Sequence, residues 1–275
     1  MKVLCLLFLS VHVAWGQSAD SLFQEGLRLE KNFHTDEALA RYSRAIQLNP
    51  EHVAALTHTS RMLSNRAGHN PNHEQKIKDL HEAEELSRRA IALESRATDA
   101  HFSLIVTLGL QAEVAGNPRE KIKNAKIIRE EAETILRLDS TYALAWFVLG
   151  KWHHELSRLN WYERLACEWF FGGLPEGISM DKAVHYFNRA LKLEPDSILF
   201  LYGQAISLHY LDRDEQARAS GAAPEVARAG PARLGPSPPA CRLPCIPTIS
   251  APGPTNTASA PTITPPSAAR AWCCT

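Results

Sequence analysis

The chain has 275 residues and carries 30 Lys+Arg against 30 Asp+Glu, a formal net charge of zero. That length can bury a sizeable core. The balanced charge excludes the whole-chain electrostatic grip on nucleic acid or anionic lipid that a basic excess provides.

Met1-Lys2 is a short positive start, residues 3–15 are mostly apolar, and Ala14 and Gly16 place small residues where a signal peptidase cuts. The layout predicts a signal peptide over 1–16 and export to a periplasm or the outside. An uncleaved membrane anchor is the alternative, although thirteen apolar residues fall short of the roughly 20 that span a bilayer. Of the six cysteines, Cys5 lies in this leader, Cys167 stands alone in the body, and Cys241, Cys245, Cys273 and Cys274 lie near the C-terminus. A body with one cysteine does not rest on disulfides.

Four segments then align without gaps: EALARYSRAIQLNP ending at Pro50, EAEELSRRAIALES at Ser95, IIREEAETILRLDS at Ser140 and KAVHYFNRALKLEP at Pro195. Their ends are 45, 45 and 55 residues apart. Each has the apolar spacing of an amphipathic helix. Ala38, Tyr42 and Ala45 precede Pro50 at the same distances as Ala183, Phe187 and Ala190 precede Pro195. The middle pair, with Ala83, Ser87, Ala90 and Ile128, Ala132, Ile135, is looser. This pattern resembles the second helix of a tetratricopeptide repeat. Small residues there let paired helices approach, an aromatic fills the gap, and proline stops the helix. First helices fit around Leu22, Gly26, Leu29, around Trp146, Leu149, Gly150, His153, and around Leu201, Ala205, Leu208. The predicted fold is all-α, a right-handed solenoid of helix pairs over residues 18–217, with a disordered tail.

Periods beyond the roughly 34 residues of a plain unit require insertions. Two fall at Arg66–His73 and Ala115–Pro118, each leading into a lengthened second helix reaching about Leu93 and Leu138. A third, between His154 and Met180, gathers Trp161, Tyr162, Trp169, Phe170 and Phe171. This aromatic insert reads as a core plug or as an exposed docking patch. After Asp212–Ala217, the start of one more second helix, the periodicity stops. Residues 218–275 hold 12 of the 17 prolines, a composition that cannot offset chain ordering. The break falls inside a helix pattern. It points to a shifted reading frame or misjoined gene model, with a genuine Pro/Thr-rich extracellular tail as the alternative.

Ser60-Arg61-Met62-Leu63-Ser64-Asn65, Lys121-Ile122-Lys123, Leu149-Gly150-Lys151-Trp152-His153, Asn160-Trp161-Tyr162 and Phe171-Gly172-Gly173-Leu174-Pro175-Glu176-Gly177 carry a second resemblance. Residues 18–217 look like the regulator of microtubule dynamics family, and in particular like exported bacterial proteins with its repeat domain. The resemblance implies a helical-repeat adaptor without enzymatic activity. Eukaryotic members are linked to microtubules and to mitochondrial or reticulum membranes, whereas an exported chain would not meet cytosolic tubulin.

No phosphate loop, nucleophile elbow or paired-carboxylate motif occurs. His81-Glu82-Ala83-Glu84-Glu85 begins like a zinc-protease helix but lacks the second histidine. The twelve histidines are scattered, as solvated or capping residues are. No catalysis, cofactor or metal is expected. In such stacks the first helices line a concave groove, which predicts Arg61, Asn65, Lys151, His154, Tyr202 and His209 as the residues facing a protein or peptide partner. Nucleic acid is not an expected partner, and membrane docking through the aromatic insert is the less favoured use.

Overall fold

Side chains able to accept from free backbone amides mark the helix starts. Ser18 Oγ accepts from Ser21 N at 3.1 Å, Asn72 Oδ1 from Gln75 N at 3.0 Å, and Ser179 Oγ from Lys182 N at 3.1 Å. Asn117 Oδ1 accepts from Arg119 N at 2.8 Å, ahead of Pro118, whose fixed φ suits a first helical turn. The computed structural model describes residues 18–159, 164–165, 167–169, 173–174 and 176–211. Nine helices lie wholly within the described residues, which hold no strand: α1 (Ala19–Lys31), α2 (Thr35–Leu48), α3 (Val53–His69), α4 (His73–Leu93), α5 (Thr98–Val114), α6 (Pro118–Leu138), α7 (Ala143–Ser157), α8 (Met180–Leu193) and α9 (Ile198–Tyr210). The expected leader over 1–16 and the tail over 218–275 lie outside the described residues.

Each odd helix packs on the even helix that follows it, and each pair packs on the next, so the chain is a stack of four helix pairs with α9 opening a fifth. The joints between pairs are copies of one another. The amides of Asn49, Glu94, Asp139 and Glu194 donate to the carbonyls of Ala45, Ala90, Ile135 and Ala190 at 2.7–3.0 Å. Three residues on, the amides of His52, Ala97, Tyr142 and Ser197 donate back to those same four joint residues at 3.1–3.3 Å. The repeat read from side chains is therefore also a repeat in backbone geometry.

Within each pair, one position on the odd helix meets one on the even helix, and their sizes are complementary. Gly26 lies under Tyr42, where a Cβ would come within 2.5 Å of the ring, and Gly150 lies under Phe187, where it would come within 2.8 Å. The second pair replaces glycine and ring with two hydroxyls: Ser60 Oγ and Ser87 Oγ are 2.6 Å apart, and Ser103 of α5 joins them. In the third pair the large residue changes sides, with Ile105 on α5 and Ala132 on α6 fully buried in one cluster.

The insertions are accommodated by helix extension. α4 and α6 have 21 residues where α2 and α8 have 14, about two extra turns at the start of each. α9 buries Phe200, Ala205 and Leu208, while Ile198, Tyr202 and Tyr210 stay exposed at the end of the stack.

Candidate functional site

The most organised polar cluster among the described residues joins α1, α2 and α3. Glu30 stands one residue before the C-terminus of α1, where a negative charge opposes the helix dipole. It is held there by three partners. Its Oε2 accepts from Tyr42 Oη at 2.6 Å and lies 3.1 Å from His58 Nδ1; its Oε1 accepts from Arg61 Nη2 at 2.5 Å. Phe23 packs edge-on against His58 and tilted against Tyr42, closing the apolar side. Burial pushes the Glu30 carboxyl up, but the bonds from His58 and Tyr42 and the Arg61 and His58 charges outweigh it, leaving it at about 2. Burial and the bond to Glu30 push the Tyr42 hydroxyl well above its ordinary range.

That pairing sets what the cluster can do. A general acid or base works best with a pKa near the working pH. Here the carboxylate stays ionised and the phenol stays protonated, so the cluster is a fixed dipolar anchor and not a proton relay. Arg61 is its accessible member, with its side chain 32% exposed. Further along, the Tyr142 hydroxyl, at the start of α7, donates to Asp99 Oδ1 of α5 at 3.1 Å.

The other groove residues scatter. Asn65 is half-buried on α3, one turn beyond Arg61. Lys151 is half-buried on α7, His209 is half-buried on α9, and Tyr202 is 50% exposed. His154 does not line an open surface. It is 6% exposed, its Nδ1 lies 2.8 Å from Ser207 Oγ, and Tyr210 meets its ring edge-on. It ties α7 to α9. Histidines as a class also depart from the expectation of solvated or capping residues. His52 does cap α3, accepting from Ala55 N at 3.2 Å, but His101, His153 and His154 are buried. Burial holds His153 down to about 4 and His154 to about 3, with nearby cations helping: Lys182 and Arg129 for the first, Arg158 and Lys151 for the second.

Of the aromatic insert, Trp161, Tyr162, Phe170 and Phe171 lie outside the described residues. Trp169 is 74% exposed and Leu165 36%, while Cys167 between them is buried. Residues 164–165 and 167–169 are helical. Among the described residues no group of three or more metal-ligating side chains gathers.

Sequence reasoning missed Glu30. The available signal was its place at the wrong end of a helix dipole, which calls for a cationic partner.

Known proteins place this architecture. A tetratricopeptide protein of Thermus thermophilus, TTC0263, superposes with a TM-score of 0.54 at 19% identity, over 79% of this chain and 94% of that one. This likeness shows the fold. Regulator of microtubule dynamics protein 1 of Bos taurus is 26% identical over 197 residues, which is 70% of this chain and 59% of the relative. The Homo sapiens protein of that name is 27% identical over 140 residues, 50% of this chain and 44% of the relative. The chain thus spans about half the length of these curated relatives. Residues 17–223 match the family described as regulator of microtubule dynamics protein 1-3. This chain belongs to that family.

Proposed function

We propose that the chain is a non-catalytic interaction module that receives a protein or peptide segment along the free faces of its odd helices. The observation that carries this reading is the Glu30–Arg61 anchor. It is an ionised pair fixed by Tyr42 and His58 and half-open to that face. Fixed polar groups on a rigid stack fit recognition, because little is lost in ordering them.

A photocrosslinking residue in place of Asn65 is expected to capture a partner in the native compartment, and one in place of Glu85, exposed on the outer helix α4, is not. Arg61→Ala should weaken that capture about tenfold while costing about 1 kcal/mol of stability at most, since the pair is partly solvated. Equal capture from both positions would overturn the groove reading.

The exposed Trp169 favours a second contact, in which the aromatic insert docks on a membrane or a larger assembly. The relatives are named for microtubule dynamics, and such an assembly is where that name would bear on this chain. Export remains the reading of residues 1–16. N-terminal sequencing of the native protein should find a chain starting at or near Gln17; retention of Met1 would refute it.

A further inference from the structure

Helices that alternate in direction bring every odd-to-even connection to one edge of a stack. Four features meet on that edge. Phe33, in the α1–α2 turn, is 87% exposed with φ 63°. The His34 amide donates to the Leu29 carbonyl and the Phe33 amide to the Glu30 carbonyl, so Phe33 fills the left-handed position of a helix stop that favours glycine. A bulky aromatic there hinders folding and packs against little. At the far end Trp169 is 74% exposed in the α7–α8 connection.

Between them stand the extra turns of α4 and α6. Lys76-Ile77-Lys78 and Lys121-Ile122-Lys123 lie 45 residues apart, at equivalent places on neighbouring pairs. Ile122 is buried and Ile77 half-buried, while Lys78 and Lys123 are exposed. None of the four lysines lies within salt-bridge distance of a carboxylate among the described residues. The contrast along the same helices is plain: further on, Arg88 pairs with Glu84 and Arg129 with Glu133. Glu74 and Glu120 stand on the same turns, and Asp36 and Glu37 open α2, so the cationic character of this edge is local to the two lysine pairs.

We propose that this edge rests on an anionic lipid surface, with the lysines of α4 and α6 against the headgroups and Phe33 and Trp169 seated at the headgroup–acyl boundary. The proposal deepens the docking reading of the insert and rests on it for Trp169. The combination decides the partner class. Lysines alone would serve an acidic polypeptide equally well, but exposed aromatics flanking them at the same edge match the bilayer interface, where Trp and Phe are favoured and Lys meets negative surface potential. No described helix is long and apolar enough to cross a membrane.

The test floats the full chain with vesicles of phosphatidylcholine alone and of phosphatidylcholine mixed with phosphatidylserine. Binding is expected only to the mixed vesicles and is released by salt. Lys121→Gln and Lys123→Gln should each lower partitioning about fivefold, with unchanged urea melts showing that the fold is intact. Brominated lipids should quench tryptophan emission in the native chain and much less in Trp169→Phe. Absent flotation overturns the proposal. Quenching of Trp169 with no dependence on phosphatidylserine overturns the anionic assignment and leaves the insert reading standing. Capture of soluble polyglutamate in place of vesicles overturns it in favour of an acidic protein.

Discussion

Phe187→Ala is expected to lower the free energy of unfolding by about 4 kcal/mol, the upper part of the range for emptying a buried aromatic site. The ring is 1% exposed and touches two neighbouring helices. It lies over Gly150 of α7 and Gly203 of α9, whose added Cβ atoms would come within 2.8 and 2.7 Å of it, and Phe147 packs against it at 5.6 Å. Removing the ring leaves a void that faces the bare backbone of both glycines, with no side chain at either position to fill it. Gly150→Ala and Gly203→Ala should each cost about 1–3 kcal/mol by the opposite fault, overpacking. Urea unfolding followed by circular dichroism measures all three. A loss below about 1.5 kcal/mol for Phe187→Ala would mean that the stack can collapse around the site.

Acid is expected to weaken the fold well before carboxylates protonate. The folded state holds His153 at about 4 and His154 at about 3, chiefly because burial opposes the charged ring. An unfolded histidine titrates near 6.5. A depressed histidine contributes its stability above the unfolded value and loses it as pH falls from there towards the folded one. The loss therefore begins near pH 6.5 and amounts to roughly 2 kcal/mol for each ring by about pH 4.5. His101 acts in the opposite sense. The bond to Glu131 raises it, burial opposing, so its contribution grows as pH falls towards 6.5 and is complete below that. Glu30, at about 2, loses its contribution only below the ordinary carboxylate range. The interval between pH 6.5 and about 4.5 thus isolates the two buried rings. Thermal melts across it should show falling stability in the native chain and a flatter profile in His154→Gln; a flat native profile would sink the assignment.

How far the sequence could be read depended on which physical rule each residue obeyed. Gly26 with Tyr42 and Gly150 with Phe187 follow the small-against-aromatic rule, and the first and fourth pairs were legible from it. Ser60 with Ser87 satisfies the same gap by a hydrogen bond, and Ile105 with Ala132 by exchanging sides. A pattern that looks for an aromatic at one fixed place registers neither. The ends of α4 and α6 at Leu93 and Leu138 came from the same periodicity. The site was harder. Glu30 and Arg61 are 31 residues apart and meet across two helices, a contact that no single-helix periodicity contains. His154 occupies a register that faces the groove in an ideal unit, but α9 crosses close enough to cover it. Which face of α7 stays wet depends on the neighbouring pair.

The matching joints have a consequence for how such a chain can change. Pitch and curvature are set where one pair hands over to the next, and those four sites have the same backbone bonds whether the unit is 45 or 55 residues long. The opposite end of each pair carries no such constraint. Residues added there lengthen a hairpin without altering how units succeed one another, so new surface can be acquired at the tips while the stack keeps its course.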